Sequence, residues 1–123
     1  MQFKPEHQRL LEECASTDEF KAGSYLFRER EKATRQYLIQ RGRVAMELQA
    51  PGQDPRLVMT ICDGGTVGFA WAYPPHNYYF SCKALNDTQV IVLDTECLAA
   101  KCKQDIELGY QLMIQHHKIM CLL

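Results

Sequence analysis

Thiols, imidazoles and aromatic rings are the groups in this 123-residue chain with chemistry to offer. There are six cysteines, four histidines, and six aromatics crowded between Gly64 and Leu85. The cysteines (Cys14, Cys62, Cys82, Cys97, Cys102, Cys121) form no C-x-x-C pair, which removes the thioredoxin-like motif and the ready zinc knuckle. Their density would suit disulfides in a secreted protein. The polar start MQFKPEHQR lacks a signal-peptide core, however, so free thiols are expected, most of them packed as small hydrophobes. No Cys or Ser has a base and an orienting partner at motif spacing, and nothing singles out a pair of carboxylates, so no enzyme is expected. His117 and Cys121, one helical turn apart beside His116, are ligand types. They would need Cys97, Cys102 or a second subunit to complete a site. His76, after two prolines, has no identifiable axial partner for a haem. No metal or cofactor is therefore expected.

The aromatics lie in GGTVGFAWAYPPHNYYFSCKAL, residues 64–85. Paired glycines permit a tight turn, and Pro74-Pro75 stops any ladder, so a shaped loop feeding a strand is expected, the usual seat of binding residues. Rings here would either line a pocket for a flat or apolar ligand, oriented by a few hydroxyls, or fill the interior as core, which is the favoured of the two. The pocket residues so predicted are Gly68, Phe69, Ala70, Trp71, Tyr78, Tyr79 and Phe80. Trp71 and Tyr78 are the most worth testing.

What must position them is a set of short elements. Residues 5–15 put Leu10, Leu11 and Cys14 at helical spacing behind a proline suited to the first turn, and Ser16-Thr17-Asp18 then breaks the helix. Extended runs follow at 24–28, 36–40, 43–49, 56–62, 78–85 and 89–93, punctuated by glycine and proline. The last two are joined through Asn86-Asp87, a hairpin-type turn. Thr95 can cap one helix and Asp105 a second, residues 106–123. The fold class is mainly β with flanking helices, a single domain built on an antiparallel sandwich or barrel. A formal net charge of -1 gives no reason to bind nucleic acid or an acidic membrane, and no apolar stretch is long enough to span one. A cytoplasmic protein is expected.

Residues 20–44, FKAGSYLFREREKATRQYLIQRGRV, resemble the opening of the cyclic-nucleotide-binding domain, the β-roll of catabolite-activator-type regulators and of the regulatory parts of nucleotide-gated channels and kinases. Gly23, Leu26, Phe27, Ala33, Tyr37, Ile39, Gly42 and Val44 fall where that family has turn glycines and inward apolar residues, with Arg30 where a second turn usually has glycine. The resemblance continues through Gly65, Gly68, Ala84 and the closing helices. It implies a jelly-roll-like β-roll over residues 20–94, an N-terminal helix at 5–15 and C-terminal helices over 95–123. The string GFAWAYPP followed by FSCKA is also similar to a stand-alone bacterial subgroup that has no DNA-binding domain, with Phe69 in place of a tryptophan and Cys82 in place of an alanine.

The resemblance also implies a missing site. The family's Gly-Glu pair, whose carboxylate holds the ribose, corresponds to Gly68-Phe69. Its phosphate-gripping Arg and small neighbour correspond to Tyr78 and Tyr79. A buried phosphodiester needs a bidentate cation or several donors, and tyrosine offers one neutral hydroxyl. Lys83, five residues on, belongs to the opposite face of the strand. The implied function is a non-enzymatic regulatory or interaction module, the alternative being a sensor that binds a cyclic nucleotide or another small molecule in a remodelled pocket. In the final helix Leu112, His116, Ile119 and Leu123 recur at helical spacing, broadened by Met113 and Met120. The family uses a helix here as its dimer contact, so a homodimer through those four residues is expected, besides a possible protein partner. The alternative is a stripe turned inward on its own domain. Nothing after Leu123 supplies a helix-turn-helix, so direct nucleic-acid binding is not expected.

Overall fold

The computed structural model describes residues 3–120, the side chains of 118–120 excepted. Helix α1 (Pro5–Glu12) leads into β1 (Ala15–Phe20), β2 (Tyr25–Phe27), β3 (Arg35–Arg41), β4 (Arg43–Leu48), β5 (Arg56–Cys62) and β6 (Thr66–Val67). A one-turn 3-10 helix (Phe69–Ala72), β7 (Ser81–Ala84), β8 (Thr88–Asp94), α2 (Thr95–Gln104) and α3 (Ile106–Met120) complete the chain. Two antiparallel four-stranded sheets face each other, in the orders β1-β8-β3-β6 and β2-β7-β4-β5. This is the antiparallel roll with flanking helices that the sequence predicts.

The central strands of the first sheet, β3 and β8, are covered on both faces. Tyr37 and Ile39 of β3 and Val90 and Val92 of β8 point into the roll, where they meet Leu26, Val44, Met46 and Val67. Their neighbours Leu38, Ile91 and Leu93 point the other way, into a second core with Leu11, Leu98, Leu108 and Leu112 of the helices. Side chains alternate across a strand, so a strand buried on both faces reads as the continuous apolar run of β8 rather than as alternation. Strand β5 has only the roll beneath it and leaves Leu57 and Val58 exposed.

Several local expectations change. Ser16-Thr17-Asp18, read as a break after a helix to residue 15, instead belongs to strand β1; the helix ends at Glu12 and the roll begins at Ala15. β1 is an edge strand paired only with β8, and polar side chains are what such an edge carries toward solvent. Asn86-Asp87 is not a hairpin turn, because β7 and β8 lie in different sheets. It carries the chain from one sheet to the other, held by Asn86 Oδ1 accepting from the Arg43 amide (2.9 Å) and Asp87 Oδ1 from the Ala22 amide (3.0 Å). The cap of α2 is Asp94, which accepts from the Cys97 amide at 2.9 Å, while the hydroxyl of Thr95 turns inward and donates to the Ala33 carbonyl at 3.1 Å. Asp105 caps α3 as expected, accepting from the Leu108 amide.

The expectation of free thiols fails at one pair. Cys14 and Cys97 form a disulfide across a sequence separation of 83 residues, fastening the turn after α1 to the first turn of α2. Around it, buried His7 lies 3.2 Å from Asp105, and the surface pairs Lys4–Glu107 and Lys101–Glu13 bridge the N-terminal segment to α3 and α2. Cys62, Cys82 and Cys102 are free. Burial pushes the Cys82 thiol up to about 12, so it behaves as the core hydrophobe foreseen for most of the six. Among the described residues no helix is long and apolar enough to cross a membrane.

Candidate functional site

Against β2 and β4 of the second sheet lies a cavity of about 350 Å³ lined by Phe27, Met46, Gly68, Phe69, Ala70, Tyr78, Tyr79 and Phe80. Six of the seven residues that the sequence marks for a pocket meet here; Trp71 does not line the cavity. Phe27 and Met46 come from β2 and β4, and as apolar residues among many they carry no sequence signal for a pocket.

The loop is held in place by backbone pairing. Residues 76–78 zip against 30–33: the Arg30 amide donates to the Tyr78 carbonyl (2.8 Å), the Tyr78 amide to Glu31 (2.9 Å), and the Ala33 amide to His76 (2.9 Å). Arg30, at the position that resembles a turn glycine, keeps a positive φ of 74°. At Gly68 the φ of +88° and the 2.9 Å that would separate an added Cβ from the Arg35 carbonyl both require glycine. That close approach lets the loop reach β3.

Tyr78 is buried and stacks on Phe27, with ring centroids 3.9 Å apart and 19° between planes. Its hydroxyl donates to the Arg35 carbonyl at 2.6 Å and accepts from the Arg35 amide at 3.1 Å. Burial raises its pKa to about 12. The one polar atom Tyr78 has is thus committed to the backbone, and the lining of the cavity includes no cationic side chain. The strand expected over 78–85 is shorter, Ser81–Ala84, and leaves Tyr78 outside it; Lys83, between buried Cys82 and Ala84, stands over the ring of Tyr25 at 5.9 Å. Replacing Tyr78 with Phe leaves the Arg35 backbone groups without this partner, and the expected cost is about 1–3 kcal/mol, read as a shift in the urea midpoint.

Behind the cavity a polar relay connects the loop to α3, and its centre, Gln36, escaped the sequence reading. The Trp71 indole N–H donates to Gln36 Oε1 at 2.8 Å, and Gln36 Nε2 faces Thr66 Oγ1 at 3.0 Å and His116 Nε2 at 3.3 Å. Thr66 donates its own proton to the Tyr37 carbonyl at 2.9 Å. An indole can only donate, which fixes the Gln36 amide with its NH₂ toward Thr66 and His116. His116 must therefore accept through Nε2, as a neutral ring carrying its proton on Nδ1, which is buried without a hydrogen-bond partner. Its ring stacks on Phe69 at 4.8 Å and stands edge to face with Trp71 and Tyr73. Burial lowers its pKa to about 4. The available signal was weak, a glutamine between Arg35 and Tyr37 at the start of an extended run.

Leu112 and His116, expected at a dimer contact, are both fully buried within their own domain. The inward alternative holds for them because the outer face of the first sheet needs a cover. The side chain of Ile119, together with Leu123 and Cys121, lies outside the described residues. Among the described residues, the large hydrophobics that α3 exposes are Ile106, Tyr110 and Met113, at spacings of four and three. His76 is exposed, with Nδ1 2.9 Å from the Trp71 carbonyl. Among the described residues no group of three or more His, Cys, Asp or Glu converges as a metal site would need.

A family model described as "Cyclic nucleotide-binding domain" matches residues 17–105. Among solved structures, a cyclic nucleotide-binding domain from Methylobacillus flagellatus superposes with a TM-score of 0.84 at 19% identity, covering 98% of this chain and 67% of that one. The catabolite activator protein of Thermus thermophilus gives 0.80 at 18%, covering 95% and 55%. The sensor domain of the transcriptional regulator DNR from Pseudomonas aeruginosa gives 0.79 at 17%, covering 95% and 79%. At such identities the structures speak for the fold alone. Comparison with curated proteins gives no match.

Proposed function

Since the chain belongs to the cyclic nucleotide-binding domain family, a family of regulatory domains, we propose that it is a non-enzymatic regulatory or interaction module that has given up the family's phosphate anchors and signals through α3. The observation that carries this reading is Tyr78. A buried ring stands where the resemblance puts the family's phosphate-binding arginine, its hydroxyl closed on Arg35, beside a cavity whose lining has no cation. A cyclic phosphate moved there from water would lose its hydration with no charge to replace it.

The test is a thermal-shift titration with cAMP and cGMP, with the Tyr78→Arg variant alongside. The expected result is no saturable shift in the natural sequence at millimolar nucleotide. Binding at 100 times a dissociation constant would add about 2.7 kcal/mol, and a shift of that size overturns the reading. A second reading, a small-molecule sensor, draws support from the cavity itself: Phe69 and Tyr78 are buried as core, and they also line a space.

The output surface in this reading is the stripe Ile106, Tyr110 and Met113, in place of the buried Leu112 and His116. An exposed apolar stripe at helical spacing suits a second copy of the helix or a helix of a partner. Tyr110→Asp should convert a dimer to a monomer in light scattering without moving the melting curve of the monomer. A monomer already present at high concentration in the natural sequence would assign the stripe to a different partner. In the cytoplasm, where this reading puts the module, the Cys14–Cys97 bond meets a reducing environment.

A further inference from the structure

We propose that the roll cavity is a binding site for an uncharged, planar aromatic molecule of about two fused rings. The inference rests on the reading above, that the cavity is not a cyclic-nucleotide site, and names what takes its place.

Three features point to this chemistry. The lining is almost entirely apolar: Phe27, Met46, Phe69, Tyr78 and Phe80 present rings and a thioether, and the Tyr78 hydroxyl already both donates and accepts at Arg35. An anion or a strongly hydrogen-bonding ligand would be desolvated here without compensation, whereas apolar cavities stay dry and take up aromatic guests. The volume, about 350 Å³, sits at the small end of ligand pockets, which matches a compact ring system. Finally, the walls are preorganised. Phe27 and Tyr78 are locked in a stack, Phe69 is held against His116, and Gly68 is fixed by its positive φ and its approach to Arg35. Rigid aromatic walls favour a flat guest over a flexible chain, because little further ordering is needed on binding. Tyr79 lines the cavity and is 39% exposed, so this part of the wall reaches solvent.

The probes are 2-naphthol and its anionic counterpart 2-naphthoate, titrated into the full chain by calorimetry at neutral pH, with cAMP as a third arm. The expected result is saturable 2-naphthol binding with a dissociation constant below about 1 mM, and at least about tenfold weaker binding of 2-naphthoate. Tyr79→Asp, a change at a partly exposed position, should keep the melting curve and weaken 2-naphthol at least about tenfold. A readout on the natural sequence is the methyl resonance of Met46, with Met46→Leu used only to assign it. Ring currents from a guest in the cavity shift it, while Met113 on the outer face of α3 stays put. Absence of 2-naphthol binding, equal or tighter binding of 2-naphthoate, or a shift at Met113 without one at Met46 each overturns the inference. If cAMP is also silent, the underlying reading survives that failure; if cAMP binds, the reading falls with it.

Discussion

Reducing the Cys14–Cys97 disulfide lowers the stability of the domain by about 4 kcal/mol and its melting midpoint by about 15 °C. The bond closes a loop across a sequence separation of 83, so its absence restores a large conformational freedom to the unfolded chain. The native contacts around it remain, since the Asp94 amide still donates to the Cys14 carbonyl and Leu11, Leu93 and Leu98 still pack beside it. The effect is therefore expected in the stability and not in the fold. Melting curves with and without dithiothreitol, and of the Cys14→Ser/Cys97→Ser double variant, should agree with each other and lie well below the oxidised protein. A midpoint that ignores reductant would show that the bond does not constrain this chain.

Acidification should destabilise the domain by about 3 kcal/mol through His116 alone. Buried as the neutral acceptor of the Gln36 amide, His116 has a pKa lowered by burial from 6.5 to about 4. Between those values the unfolded chain binds a proton that the folded one refuses. Stability is thus whole above pH 6.5, declines as the pH falls toward 4, and changes no further below that on this residue's account. Protonation would also set an N–H against the Gln36 NH₂, disturbing the relay to Trp71. The check is the urea midpoint measured at intervals between pH 7 and pH 4, for the natural sequence and for His116→Gln. The variant should start lower and show a shallower decline over this window. Parallel curves would mean that carboxylates, and not His116, set the acid sensitivity.

Much of the site was legible from residue types alone. That residues 69 and 78 are Phe and Tyr, and that no arginine stands nearby in the strand, are facts of composition at positions fixed by the spacing of Gly68 and Ala84. Those identities leave the loop side of the cavity without a charged side chain. Whether the rings fill or line the space was not legible, since that depends on Phe27 and Met46 arriving from two other strands. Gln36 was missed for a related reason: a buried amide is recognisable only once Trp71, Thr66 and His116, up to 80 residues away, are seen around it.

By itself the sequence determined most of the local elements: the helical and extended periods, the Asp105 cap, the strands other than β1 and β6, and the turn glycines, because each follows from the conformational preferences of neighbouring residues. It also placed no arginine or lysine among residues 68–80, the segment that supplies most of the cavity lining. Only the tertiary structure decided the long-range pairings. The turn at Asn86-Asp87 crosses between sheets because β8 finds its partners in β1 and β3. Ser16 to Asp18 extend because β8 offers them an edge. Cys14 meets Cys97 because the helices pack on one sheet. The apolar stripe through Leu112 and His116 turns inward for the same reason: an amphipathic helix carries no mark of which surface it will cover, and here the outer face of β3 and β8 stood closest.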